Sequence, residues 1–505
     1  MEDVYGIDLG TTNSCIATIG EDGQPEVIKN LDDQFTTPSV VFYDDAGEPY
    51  VGSEAKSMMG GDIKRTVAFI KREMSNKAYK RTIDDIEITP TGVSALILKK
   101  VVDDANEQRS YEGLPPIHKA VITVPAYFGG EERERTKQAA QIAGIEVLGL
   151  LNEPTAAALS YGTKGLEGKT FMIYDLGGGT FDVSIMRMKN GVLDTLATNG
   201  DHQLGGVDWD IRLIDYMLQS EKLGVTYDDI KDEKDVGKLL AGAEICKKNL
   251  SRNDKATMKF VYKRSQHIMN ISRGVFEELT EELVDNTIDI VEYAKRMARE
   301  PIDKIDEIIL VGGSSYMPMI KKRLMKEYPG CNIRLDNLEP DRAVAKGAAI
   351  HAANIVGNAE TKVELGEDMA SRSYGLYCID SETGQPVIQN LVKRTDPMVY
   401  SASATFSTMV EGQTAVDEDV YENVSVDDLT DVNKSTLIES KKLSWGFPVP
   451  KDTDITAHVN RDKDGLISIT VECQGKSVSF EIKPSGTLSE REIEIQRQAL
   501  VGKRV

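Results

Sequence analysis

Tyr5-Gly6-Ile7-Asp8-Leu9-Gly10-Thr11-Thr12-Asn13-Ser14-Cys15-Ile16-Ala17 and Ile173-Tyr174-Asp175-Leu176-Gly177-Gly178-Gly179-Thr180-Phe181-Asp182-Val183-Ser184-Ile185 share one pattern: strand, Asp-Leu-Gly turn, strand. Glycine at such a turn lets backbone N–H groups approach phosphate oxygens with no Cβ in the way, and the hydroxyls that follow add donors. The aspartate ending each first strand sets a carboxylate beside the same phosphates, where one or two carboxylates can hold a Mg2+ that keeps its waters. Asp8 and Asp175 are that pair. One Asp-Leu-Gly turn could serve hairpin geometry alone. Two of them, each with hydroxyls and far enough apart for a subdomain to form between, imply two lobes facing across a cleft.

Glu307-Ile308-Ile309-Leu310-Val311 reads as a buried strand, Gly312-Gly313-Ser314 as a tight turn and Met317 to Tyr328 as an amphipathic helix, so the backbone can lie close to a flat base. Neither a Gly-x4-Gly-Lys-Ser/Thr loop nor a Gly-x-Gly-x-x-Gly fingerprint is present. Short strands alternate with amphipathic helices from Val4 to about Gly357, for example Ala120 to Val124 followed by Glu132 to Ala143. Between Val356 and Arg372 the apolar period fades into Gly, Asn, Glu, Lys and Asp. Beyond it Ile455, Ala457 and Val459, then Ile467, Ile469 and Val471, then Val478, Phe480 and Ile482 alternate across the turns Lys463-Asp464-Gly465 and Gln474-Gly475-Lys476, an antiparallel meander. Ser489 and Glu492 form a capping box that opens a short helix. The expected division is an α/β domain 1–357, a linker 358–371, a β domain 372–485 and a terminal helix 486–505. Glu411 to Asp431 holds eight acids and no Lys or Arg, and reads as a solvated loop or an edge strand guarded against aggregation.

A chain of 505 residues with 40% apolar content can bury several cores. Its formal net charge of −22 opposes nucleic-acid and anionic-membrane partners. Cys15, Cys246, Cys331, Cys378 and Cys473 lie far apart, which points to reduced thiols rather than a zinc knuckle or disulfide framework. Met1-Glu2-Asp3-Val4 enters a strand pattern with no basic-then-apolar leader, and no apolar run approaches the ~20 residues that span a bilayer. A cytoplasmic location is expected.

Gly6 to Ser14, Val124-Pro125-Ala126-Tyr127-Phe128, Asn152-Glu153-Pro154-Thr155-Ala156-Ala157-Ala158, Asp175 to Asp182 and Val311-Gly312-Gly313-Ser314 together resemble the seventy-kilodalton heat-shock chaperones. Ala404-Thr405-Phe406-Ser407-Thr408 and the meander extend the likeness more faintly. The resemblance implies an α/β actin-like (ribonuclease H-like, duplicated) ATPase domain, then a β-sandwich that holds extended peptide and a short helix. It also implies ATP/ADP and Mg2+ as cofactors, with K+ a further candidate ion. Asp8, Asp175 and Asp182 become the metal group, and Gly10, Thr11, Thr12, Asn13 and Gly177 to Thr180 the phosphate binders. Lys71, in Phe69-Ile70-Lys71-Arg72, resembles the catalytic lysine, and Glu153 with Thr180 would orient or activate water. Pro125, Glu153 and Asp182 would help couple nucleotide to interdomain motion. Gly205, Gly206, Glu244, Lys247, Ser251, Gly312, Gly313, Ser314 and Asp341 match the nucleoside pocket.

The chain departs from the family in several places. Lys248 and Tyr316 stand where the family usually sandwiches adenine between arginines; a tyrosine ring can stack on a base, while a lysine is a point charge. The linker offers only Val363 and Leu365 in a polar, acidic setting, which should weaken its docking by edge pairing. Gly149 occupies the place of an arginine that helps dock the J-domain co-chaperone, and from length alone a helical lid shortened beyond its start at Ser489 is expected, with Gly502-Lys503-Arg504-Val505 as the last residues. Unfolded polypeptide clients, a J-domain protein and a nucleotide exchange factor are the implied partners. The segment Asn390 to Ser403 matches the client-binding region poorly. That leaves open a client-specific scaffold or regulator, and the fold alone leaves open a small-metabolite kinase.

Overall fold

The computed structural model describes residues 4–500 except 77, 163–164, 232–235, 263–264, 336–338, 358–362, 367, 463–464 and 483–487. Much of the expected linker, the turn residues Lys463-Asp464 and the tail Gly502-Lys503-Arg504-Val505 therefore lie outside the described residues.

Strands β1 (Tyr5–Asp8), β2 (Asn13–Ile19), β3 (Pro25–Ile28), β4 (Lys119–Val124) and β5 (Glu146–Asn152) form a sheet in the order β5-β4-β1-β2-β3. Strands β6 (Thr170–Leu176), β7 (Phe181–Lys189), β8 (Val192–Asp201), β9 (Glu307–Val311) and β10 (Asn332–Arg334) form a second, in the order β10-β9-β6-β7-β8. In each, the central strand runs parallel to the strand on one side and turns as a hairpin into the strand on the other. The two sheets thus share order and sense, and the repeated pattern read from the sequence is a repeated subdomain.

Small residues join the halves. Helix α1 (Ala343–Ile355), which runs Ala343-Val344-Ala345-Lys346-Gly347-Ala348-Ala349, lies against β1 and against helix α2 (Glu153–Tyr161). A Cβ added at Gly347 would fall 1.7 Å from the Ala156 carbonyl oxygen, so these backbones pack with no room for a larger side chain. The core at this junction draws Val121 and Leu151 from the first sheet and Ile173 and Val311 from the second.

Residues 373–481 form two antiparallel sheets. One contains β12 (Ser373–Ile379), β13 (Pro386–Val392), β15 (Gln413–Asn423), β16 (Leu429–Asp431) and β17 (Thr436–Val449) in the order β16-β13-β12-β15-β17; the other runs β14 (Tyr400–Ser407), β18 (Asp454–Arg461), β19 (Ile467–Cys473), β20 (Lys476–Glu481). The meander is as read: Val459 pairs with Ile469 and Val471 with Val478. The inward residues share one core with Leu376, Val420 and Trp445 of the other sheet. A final helix, α3 (Glu490–Leu500), starts at the expected capping box, with Ser489 N–H donating to Glu492 Oε2 at 2.7 Å.

The acidic stretch is strand rather than loop: its end, β16, is an edge strand, and its middle, β15, pairs with β17 along its length but with β12 only over Val420 to Asn423, so residues 413–419 keep one edge open. Its alternation of Val416 and Val420 with polar residues makes one face apolar enough to bury. The linker, expected to dock weakly by edge pairing, does pair over two residues. Residues Glu364–Leu365 form strand β11, which pairs in parallel with Val192 and Leu193 on the edge of β8. Main-chain bonds do not depend on side-chain type, and Val363 and Leu365, two residues apart, both settle on the junction core.

Further contacts join the linker and the β domain to the α/β domain. Arg394 donates to the Thr198 carbonyl at 3.2 Å, Ser371 to the Phe128 carbonyl at 3.0 Å, and Asn152 to Asp368 Oδ2 at 2.6 Å. No described helix is long and apolar enough to cross a membrane.

Candidate functional site

The two Asp-Leu-Gly turns meet. A Cβ built on Gly178 would lie 1.9 Å from Thr12 Oγ1, and one on Gly10 would lie 2.0 Å from the Asn13 carbonyl oxygen, so only glycine lets the turns approach this closely. A cavity of about 760 Å³ opens beside them, lined by Asp8, Gly10, Thr11, Thr12 and Asn13 from one half and Asp175, Gly177, Gly178 and Thr180 from the other. The carboxyls of Asp8 and Asp175 face one hollow, as the repeated pattern required. The Thr11 and Thr12 hydroxyls are buried without a hydrogen-bond partner, the state of donors shaped for a ligand's oxygens.

Lys71 reaches this floor on a 3-10 turn, Ile70–Glu73, preceded by Phe69 at φ 59°, a left-handed conformation that L side chains rarely adopt. Its ammonium bonds to Glu153, and both are buried. Glu153 begins α2 with Pro154 behind it, a place where the helix dipole favours a carboxylate and proline fits without breaking a bond. Burial pulls the Lys71 ammonium down, but Glu153 and Asp8 more than offset this and hold it charged.

The aspartates are short of positive charge. Burial, then the neighbouring Glu153, push Asp8 up to about 7 despite Lys71. The same two causes lift Asp175 and Asp182 well above the carboxylate range. Asp182 pairs across the hairpin with Asp175, stands behind the cavity wall, and keeps a buried Oδ1 without a partner. Among the described residues, no three His, Cys, Asp or Glu side chains converge as a direct metal cage. The donor set fits a hydrated divalent cation touching one or two carboxylates.

At the end where the sequence reading expects the nucleoside, Gly312 has φ +81°, and a Cβ there would strike the Leu176 carbonyl at 2.4 Å. Gly313, Ser314, Tyr316 and Asp341 line the cavity from this side, and Glu244, Lys247, Lys248 and Ser251 from the opposite one. Tyr316 is 46% exposed and free to lie against a base. Lys248 is turned aside to Glu244 Oε1 at 2.7 Å, and Lys247 bonds to Asp210 at 2.7 Å and to the Gly206 carbonyl at 2.6 Å. Gly179, Gly205 and Gly206 back the wall rather than face the cavity: a Cβ on Gly205 would hit Gly179 at 2.4 Å, and one on Gly206 would hit Ser314 Oγ at 2.2 Å.

Sequence reasoning missed three cross-cleft links. Lys56 bonds to Glu244 at 2.8 Å; although burial opposes it, Lys56 and Lys248 hold that carboxyl down at about 2. Arg72 donates to the Gly179 carbonyl and to Asp208, each at 2.6 Å. Only its position next to Lys71 hinted at a role for Arg72; Lys56 and Asp208 carried no local signal.

The Hsp70 protein family model matches residues 4–500. The chaperone protein DnaK of Thermotoga petrophila and that of Thermotoga maritima are each 38% identical over 503 residues, covering 97% of this chain and 82% of the relative. The chaperone protein DnaK of Thermosipho africanus matches at 38% over 506 residues with the same coverage.

Proposed function

Because the chain belongs to the Hsp70 family, it is an ATP-dependent molecular chaperone that hydrolyses ATP, and we propose that both lobes of the cavity between the Asp8 and Asp175 hairpins carry out that hydrolysis. The observation that supports this most is the pair of unpartnered threonine hydroxyls beside a floor of buried acids and one buried lysine. Thr11, Thr12 and the glycine turns grip the phosphates. Lys71 sets a fixed positive charge against the γ-phosphate, where charge develops in the transition state. Glu153 accepts from Lys71 and, with Thr180, orients the attacking water. Asp8 and Asp175, backed by Asp182, would hold a hydrated Mg2+, which supplies the remaining positive charge. Tyr316 stacks on the base, and Lys248 adds charge without a plane.

The duplicated domain, 1–357, is read as an actin-like nucleotide domain, 358–371 as its linker, 372–485 as a β-sandwich for extended polypeptide, and 486–505 as the start of a lid. Nucleotide state reaches the sandwich through β11 and the Arg394 contact, a coupling typically worth about 1–3 kcal/mol. Clients are unfolded segments, assisted by a J-domain protein and an exchange factor in the cytoplasm. At Gly149, on the outer strand β5, the J-domain finds no side chain, so it grips elsewhere.

The test is labelled-peptide affinity in ATP and in ADP, on the intact chain and on Lys71→Ala. Wild type should bind peptide more weakly with ATP, by about five- to hundredfold, and Lys71→Ala should cut turnover by about 10²–10³ while still binding ATP. An affinity ratio of one in wild type defeats the coupled reading.

A further inference from the structure

Strands β12 and β15 are paired from Ser373 with Asn423 to Leu376 with Val420, and there the ladder stops. Both strands continue. β12 runs on to Ile379, held by β13 up to Pro386, and β15 starts as far back as Gln413, held by β17. The facing edges at residues 377–379 and 413–419 therefore part at one end of the sandwich. Strand edges without partners are templates for another extended chain. The same end is unusually apolar at its surface: Tyr377 is 40% exposed, Ile379 37%, and Met409 and Val410, in the turn leading into β15, 63% and 58%.

One residue on the parted stretch breaks the pattern of its strand. Val416, Glu418 and Val420 are two apart and share a face, which at Val420 is core. Glu418 is only 6% exposed, yet makes no hydrogen bond or ion pair with any described residue. Lys441 stands opposite it on β17 but is itself exposed, with its ammonium 5.8 Å from the centre of the Phe480 ring, and leaves Glu418 uncompensated. Burial, and then the neighbouring acid Asp419, raise the Glu418 carboxyl to about 7. A buried carboxyl with no partner costs stability, and an apolar side chain like its neighbours would remove that cost. Its position where the sheet opens gives it a use.

We propose that Glu418 is the recognition carboxylate of a slot between β12 and β15 that takes an extended polypeptide segment carrying a lysine or arginine. The segment's main chain pairs with a parted strand edge, its apolar side chains cover Tyr377 and Ile379, and its cationic side chain reaches Glu418. The eight acids of residues 411–431, with no Lys or Arg among them, draw such a segment in. This inference rests on the reading of the β domain as the client domain.

The test uses the full-length chain with ADP and two fluorescein-labelled peptides that are identical except for lysine or norleucine at the centre. The lysine peptide should bind at least tenfold tighter, and Glu418→Gln should abolish the difference. Attraction by net charge alone would instead survive in Glu418→Gln and fade in 0.5 M salt, an outcome that overturns the assignment, as does equal affinity of the two peptides for wild type. If neither peptide binds wild type with ADP or with ATP, the client-domain reading itself fails and takes this inference with it.

Discussion

Lys71 and Glu153 neutralise one another beside buried Asp8 and Asp175, with Asp182 behind them, so the site carries excess negative charge among groups that burial already drives toward protonation. Such a charge imbalance is what the proposed cation-bearing polyphosphate would relieve. Its geometry is most sensitive at Gly178: the Cβ of Gly178→Ala would collide with Thr12 Oγ1 at 1.9 Å. Calorimetry should show ATP binding weakened at least 100-fold, with the melting curve of the β domain unmoved. Glu418 makes a separate prediction about pH. Its folded pKa, about 7, exceeds the ordinary value of 4.5, so the folded state holds the proton more tightly. Stability is unaffected below pH ~4.5, falls as pH rises through 7, and stays reduced above it, by on the order of 3 kcal/mol. Glu418→Gln should remove that fall in melts at pH 5 and pH 8; an equal fall in the variant would show that another group is responsible.

At the scale of elements, β11 shows how little sequence a docked strand needs. Two apolar residues, Val363 and Leu365, reach the junction core, and Glu364 N–H and Gly366 N–H donate to the carbonyls of Gly191 and Leu193 at 3.2 and 2.9 Å. Composition suggested weak pairing because it counts side chains, whereas the ladder consists of main chain. Leu365→Asp would bury a charge at that edge. It should release the strand and bring the ATP-to-ADP ratio of peptide affinities close to one, read by the same peptide titration. The stretch 411–431 shows the converse, being strand rather than loop while keeping an open edge along 413–419 and β16. Its acids mask the period-two alternation of Val416 and Val420, and strand order within a sheet leaves no local trace.

Across the whole molecule the two domains are joined by polar contacts and by Leu488, Ile493 and Leu500, which pack on the core of the first lobe, and one buried arginine organises several of the polar contacts. Arg461, 2% exposed on β18, donates to the carbonyls of Met398, Arg372, Lys393, Asp396 and Pro397. Burial lowers its pKa to about 10, against the opposing pull of Tyr374 and Asp396. Those carbonyls belong to the end of the linker and to the loop that presents Arg394 to Thr198. Arg461→Met should therefore cost on the order of 3 kcal/mol in the β domain and loosen the docked arrangement, visible as a larger radius of gyration by X-ray scattering.

The amino-acid sequence by itself determined the repeat, and with it the two lobes, the facing aspartates, the glycine turns and the meander, because each depends on residues close together in the chain: a turn needs its glycines, a strand its alternation, a capping box its serine and glutamate. Tertiary structure alone decided the bonds of Lys56 to Glu244 and Arg72 to Asp208 across the cleft, the docking of β11, and the isolation of Glu418 where two strands part. Those features join residues distant in sequence, and a side chain's partner, burial and charge are properties of the space it folds into.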